Sequence, residues 1–190
     1  MARKPRVAPL HAFFHVGATA TRGTALFADD VDREAFVASL RRYLPAFRAR
    51  VHAFCLMSTH AHLVVEVSDV PLALLMQRVL QVYAQGLNRR HGTRGHVFTD
   101  RFWSQPCDRD AYLLEAVTYI HLNPVRAGLV SRPEDYPWSS HLLYLRPEVR
   151  GWVTTECLLG MLGASPERAA REYALLVEER LARPPAREFE

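Results

Sequence analysis

Apolar and polar positions along the chain follow two periods in turn, a two-residue alternation and a spacing of about 3.6 residues. Residues 11–19 (His-Ala-Phe-Phe-His-Val-Gly-Ala-Thr) gather aromatic and β-branched side chains without helical spacing and read as a first strand. Asp29, Asp30 and Asp32 suit a helix start; Phe36, Leu40, Tyr43 and Leu44 supply its apolar stripe, and Pro45 ends it. Two further strands, 51–57 and 61–67, flank the turn Ser58-Thr59-His60 and make a hairpin. In the second, Ala61, Leu63, Val65 and Val67 share one face, while His60, His62, Val64 and Glu66 share the other. A long helix fits 71–90, with Leu72, Leu75, Met76, Val79, Tyr83 and Leu87 at helical spacing and Gly92 just past its end. A fourth strand is expected over 97–106, around Val97, Phe98, Phe102 and Trp103. A third helix over 108–123, capped by Asp108 or Asp110, should stop at or near Asn123, because Pro124 disfavours helical geometry in the residue before it.

The order strand, helix, strand, strand, helix, strand is that of a ferredoxin-like (RRM-like) antiparallel sheet with helices on one face, so the fold class is α+β. The 108–123 helix is added after it. Beyond 150, Thr155 can cap a short helix through Met161, and Ser165 with Pro166 opens another through about Arg180. The expected organisation is a main domain over 1–146 and a small helical appendage over 147–190, with a frayed end at Ala-Arg-Pro-Pro-Ala-Arg-Glu.

A chain of 190 residues is long enough to bury one full core. Its apolar runs fall far short of the roughly 20 residues that a bilayer crossing needs, so no membrane partner is expected. The basic start, Met-Ala-Arg-Lys-Pro-Arg, is followed by no continuous apolar stretch of the signal-peptide kind, which makes the cytoplasm the expected location. Cys55, Cys107 and Cys157 are odd in number and widely spaced; they fit neither a disulfide framework nor a zinc knuckle and read as reduced thiols. The formal charge of +4 is uneven: residues 1–150 hold 19 of the 24 basic and 13 of the 20 acidic residues, a balance of +6, leaving −2 for the rest. Lys4 is the single lysine. Arginine suits bidentate phosphate contacts, although a GC-rich genome would give the same bias.

Three features could carry chemistry. His60-Ala61-His62 puts two imidazoles on one strand face, where they can share a metal ion, yet an isolated pair of sheet histidines needs no ion. Tyr119 and Asn123 stand one above the other on a helix, with Glu115 on the same line as a candidate auxiliary group. Tyr119 sits beside the apolar stripe of Leu113, Ala116, Val117 and Ile120, a place where a tyrosine can simply pack its ring and leave its hydroxyl wet. Third, Arg78, Arg89, Arg90, Arg94 and Arg101, with His91 and His96, face one acid, Asp100, and run into Phe98, Phe102 and Trp103. Basic groups interleaved with aromatics suit single-stranded nucleic acid, and equally describe a solvated helix end beside core aromatics.

Taken together these residues resemble the single-tyrosine HUH transposases of the insertion-sequence-200 type, especially the REP-associated tyrosine transposases. The likeness runs from the first strand to about Tyr144, through Cys55-Leu-Met-Ser-Thr-His-Ala-His-Leu-Val, Leu87-Asn-Arg-Arg-His-Gly and Phe98-Thr-Asp-Arg-Phe-Trp. Its most specific parts are Tyr119-Ile-His-Leu-Asn-Pro-Val-Arg-Ala-Gly-Leu-Val and Tyr136-Pro-Trp-Ser-Ser. The resemblance implies that His60 and His62 bind a divalent metal, Mg2+ or Mn2+, that Asn123 is the third ligand, and that Tyr119 is the nucleophile. It further implies cleavage and rejoining of single-stranded DNA at hairpin-forming repeats through a 5′-phosphotyrosine intermediate, by a monomer or homodimer. Arg78, Arg89, Arg90, Arg94, Arg101, Phe102, Trp103 and Arg126 are the expected DNA contacts. Ala61 is smaller than the family's usual middle residue, and Ser58-Thr59 replaces the commoner Pro-Asn.

Two other readings compete. A non-catalytic single-stranded nucleic-acid-binding module needs neither metal nor tyrosine. A metal-dependent hydrolase using His60, His62 and a carboxylate such as Glu66 would form no covalent intermediate.

Overall fold

A computed structural model describes residues 9–107, 110–149 and 151–183. The basic first residues, the Asp108 cap and most of the expected frayed end lie outside the described residues. Four strands, β1 (Ala12–Thr19), β2 (Ala49–Met57), β3 (His60–Val67) and β4 (Trp103–Cys107), form one antiparallel sheet in the order β2-β3-β1-β4. This is the expected ferredoxin-like arrangement. Each edge position has a sequence reason. β4 contains Pro106, which has no N–H to give and is tolerated because the strand lies at the rim.

Helices α1 (Asp30–Tyr43) and α2 (Leu72–His91) cover one sheet face, where Phe14, Val16, Ala61, Leu63 and Val65 meet Phe36, Leu40, Leu75 and Val79 in the main core. Asp29 caps α1 by accepting from the Asp32 amide, and Gly92 closes α2 in the left-handed region at φ 64°. The opposite face, with Ala53, Cys55, Met57 and Val64, packs against α3 (Asp110–Arg126). The strict alternation of β3 thus divides two cores.

Two boundaries differ from expectation. The fourth strand begins only at Trp103: β1 pairs Gly17 with Trp103 but Ala20 with Phe98, so three steps along β1 meet five along the incoming chain. The surplus residues cannot pair and loop out. The third helix does not stop at Asn123 but runs to Arg126 with Pro124 inside it. It ends where Gly128 takes φ 69°, with Gly128 N–H donating to the Val125 carbonyl and Leu129 N–H to that of Pro124. That glycine stop is a stronger terminator than the proline, whose ring forfeits one helical bond without breaking the turn.

The Tyr136-Pro-Trp-Ser-Ser segment covers the outer edge of β2: Leu56 N–H donates to the Trp138 carbonyl, Ser140 N–H to that of Phe54, and Tyr136 Oη to that of Leu56. A short α4 (His141–Leu145) follows, then α5 (Glu156–Leu162) and α6 (Pro166–Leu181). Tyr173 and Val177 of α6 are buried against α3 and α4 in the second core. Among the described residues no helix is long and apolar enough to cross a membrane.

Candidate functional site

Because β1 and β3 are in register, Gly17 lies opposite His62 and Thr19 opposite His60, so the odd-numbered side chains of β1 share the histidine face. His15 joins them there. Tyr119, presented by α3 over the same face, stands edge-on to His62 with ring centroids 5.8 Å apart, and 5.8 Å from His15. His60 and His62 are 5.1 Å apart by the same measure. Trp103, the first residue of β4, closes the group at 4.6 Å from His15 and 5.8 Å from His62. The indole lies where a side chain at 17 would stand: a Cβ added there would fall 2.2 Å from Trp103 Nε1.

Burial sets the electrostatics. His15 is fully buried, and desolvation holds its pKa down at about 3. Desolvation also holds His62 well below the ordinary histidine value, helped by its neighbours His15 and His60, and lowers His60. All three rings are therefore neutral at pH 7, with lone pairs available. His62 Nδ1 lies 3.1 Å from His15 Nε2, and His60 Nδ1 lies 3.0 Å from Thr59 Oγ1. With each Nδ1 engaged, the Nε2 atoms are the ones left to take a ligand.

Among the described residues no three His, Cys, Asp or Glu side chains are placed to hold one metal ion. Asn123 follows Tyr119 by one helical turn on α3, and its buried Nδ2 has no hydrogen-bond partner, so this amide is an incomplete polar group. Arg126, a further turn on, places its guanidinium carbon 5.6 Å over the Tyr119 ring. Its Nη2 donates to the Arg180 carbonyl of α6 at 3.3 Å, while its buried Nη1 has no partner. Burial lowers the Arg126 pKa and Tyr119 raises it. Glu115 faces Arg180 Nη1 at 3.5 Å.

The other sequence-predicted contacts are scattered. Arg78 stacks its guanidinium on Tyr43 of α1 at 5.3 Å, and Arg89 and Arg94 are exposed at the end of α2 and just beyond. Arg90 pairs with both Asp29 and Asp32, so its donors tie α2 to the start of α1. Arg101 is exposed at a 760 Å³ cavity between α2 and the 95–102 loop, whereas Phe102 is buried in the main core. Glu66 bonds His52 at 2.9 Å and lies 3.6 Å from Arg50. The structure thus gathers His60, His62, Tyr119, Trp103 and Arg126, and leaves Arg78, Arg89, Arg94 and Arg101 on and after α2. His15 and Gly17 went unrecognised in the sequence. The signal was there in the alternation Phe13, His15, Gly17, Thr19, which puts a histidine and a gap on one strand face.

The family described as "Transposase IS200 like" matches residues 12–123, from the first residue of β1 to Asn123. The chain belongs to this family of transposases. It is thereby a DNA-processing enzyme of the transposase class. A REP-associated tyrosine transposase solved bound to a REP hairpin is similar in fold at 15% identity, with TM-score 0.67 over 81% of this chain and 91% of that one. A tRNA(His) guanylyltransferase from Saccharomyces cerevisiae aligns at 10% identity and TM-score 0.40 over 87% and 82% of the two chains, a likeness too weak to bear on function. No curated protein matches the chain in sequence.

Proposed function

We propose that this transposase cleaves and rejoins single-stranded DNA at hairpin-forming sequences, with Tyr119 as covalent nucleophile. The observation that carries the reading is the phenol of α3 standing edge-on to His62, 57 residues earlier in the chain, on the face that also holds His60. The tyrosine oxygen attacks the scissile phosphorus, the bond from phosphorus to the 3′-oxygen breaks, and that oxygen leaves with a proton as a free 3′-hydroxyl. The 5′-phosphate stays on Tyr119 as an ester of comparable energy. A second 3′-hydroxyl can then attack it, returning the proton to the phenol and joining new strands without ATP.

His60, His62 and Asn123 offer two neutral imidazole nitrogens and an amide, a set that fits Mg2+ with retained waters and suits Mn2+ better. A divalent ion bound there supplies the Lewis acid that neutralises charge on the phosphate. Arg126 keeps a cation over the Tyr119 ring, which favours the ionised phenol and adds a charge for the phosphate to meet. Trp103 packs edge-on against His15 beside the site. Arg78, Arg89, Arg94 and Arg101 supply positive charge along α2 and its following loop, suited to tracking the phosphates of an unpaired strand. The similar transposase was solved with a REP hairpin, which supports a hairpin-containing substrate here.

The test incubates the protein with end-labelled single-stranded hairpins from its own genome and Mn2+ or Mg2+, and resolves products on a denaturing gel. A band carrying both label and protein, lost in Tyr119→Phe while hairpin binding remains, is the expected result. Protein-free product over many turnovers would replace this mechanism with hydrolysis, and binding without any cleavage would leave a non-catalytic module.

A further inference from the structure

His15 has no role in the chemistry above, yet it is fully buried and in contact with three members of the site: His62, Trp103 and Tyr119. Its Nε2 lies 3.1 Å from His62 Nδ1, and only one proton can occupy that line. If His15 donates, neutral His62 must carry its own proton on Nε2 and has no lone pair there for an ion. If His62 donates, its Nε2 is bare. The two arrangements differ only in where protons sit, but one permits coordination and the other forbids it.

We propose that His15 is a positioning residue: it accepts the His62 Nδ1 proton and so holds His62 in the tautomer that presents Nε2 to a divalent ion. The part that concerns the ion rests on the metal-binding reading above; the tautomer itself does not. Three features of the fold support the assignment. β1 and β3 are locked in register by pairs on both sides of His15, so the two imidazoles cannot slide past one another. Trp103 stands edge-on to His15, in space left by the missing side chain of Gly17, and fixes the ring plane. At His60 the Thr59 hydroxyl lies 3.0 Å from Nδ1, so both histidines of the pair are engaged at the same ring nitrogen. Ligand histidines in metal sites are ordinarily oriented by a carboxylate, carbonyl or water on the second ring nitrogen. Here a neutral imidazole does it, which adds no negative charge next to an incoming phosphate.

The direct test is nitrogen-15 NMR of the histidine rings in metal-free protein at pH 7. His62 is expected to show a protonated Nδ1 and an unprotonated Nε2; in His15→Leu, which fills the space without an acceptor, it should revert to the Nε2-protonated form that free imidazole favours. His15→Gln, whose amide oxygen can accept the same proton, should restore the Nδ1-protonated form. Mn2+ titrated alone into each protein should bind about 10–100-fold more weakly to His15→Leu than to wild type, with His15→Gln recovering most of the loss. Thermal melts confirm that each variant is folded before it is compared. An Nε2-protonated His62 in the wild type overturns the proposal, as does a folded His15→Leu that binds Mn2+ as tightly as wild type. If the wild type binds no Mn2+ while His62 still shows the His15-dependent tautomer, the ion reading fails and the positioning role stands.

Discussion

A missing methyl group at Gly17 lets the Trp103 indole lie across β1 beside His15 and His62, and the packing of the site depends on it. Gly17→Ala would drive a Cβ to 2.2 Å from Trp103 Nε1, so the indole must move. Overpacking of this kind costs about 1–3 kcal/mol, and calorimetric melts should register it together with a slower adduct-forming reaction. Arg126→Gln tests a different effect, since a polar side chain is kept while the cation over Tyr119 is lost together with the Nη2 bond to the Arg180 carbonyl. Its single-turnover rate of adduct formation should fall by roughly an order of magnitude, and its pH–rate profile should move to higher pH. An unchanged profile would assign Arg126 to packing alone. Most of these residues could be read in advance. His60 and His62 share a face by strand alternation, and Asn123 follows Tyr119 by one turn, both rules of local geometry. His15 and Gly17 could not be read the same way, because a lone histidine in an aromatic strand resembles core until β4 is known to run alongside it.

Local pattern also located the elements, and it failed where a competing tertiary demand took over. Alternation on β3 and the helical stripe of α2 were legible because one face of each is buried and nothing interrupts the period. The start of β4 was not, since nothing in residues 97–102 announces that two residues too many must loop out against β1. Pro124 misled for a related reason: the helix tolerates it because Gly128 and the bonds to Pro124 and Val125 carbonyls stabilise a later end. The packing of α6 on α3 was likewise invisible, resting on a buried polar network that joins distant segments. Tyr173 Oη lies 2.7 Å from His121 Nδ1 and 2.8 Å from His141 Nδ1, and His121 Nε2 lies 2.6 Å from Ser140 Oγ, which accepts the Phe54 amide. The phenol can donate to one imidazole only, so the other must donate to it. Tyr173→Phe keeps the ring and strands both nitrogens in a dry site, at a cost of about 1–3 kcal/mol in urea unfolding. Since His121 lies two residues from both Tyr119 and Asn123, the same variant should also slow adduct formation if α3 is placed by this network; a rate equal to wild type would confine the network to stability.

At the scale of the whole molecule the histidines act together. Six of them, His15, His52, His60, His62, His121 and His141, are held below their ordinary value, chiefly by burial, with His15 at about 3 and His141 at about 4. The unfolded chain exposes the same rings at an ordinary pKa of about 6.5. Above that value neither state binds the protons and the histidines leave stability untouched. As pH falls through it, the unfolded state takes up protons that the folded state refuses, so unfolding becomes easier. Each strongly depressed histidine then removes about 1.4 kcal/mol per pH unit until its folded value is reached. For His15 and His141 this amounts to roughly 1.5 kcal/mol each between pH 6.5 and 5. Asp29 and Asp32, held low by Arg90 and His91, give up their share only below the ordinary aspartate value of about 3.9, outside that window. Urea unfolding in metal-free buffer should therefore show stability constant from pH 8 to 7 and falling steeply from 6.5 to 5. A profile flat to pH 5 would mean that the folded protein takes up protons on these rings as readily as the unfolded chain, so that burial does not hold them neutral.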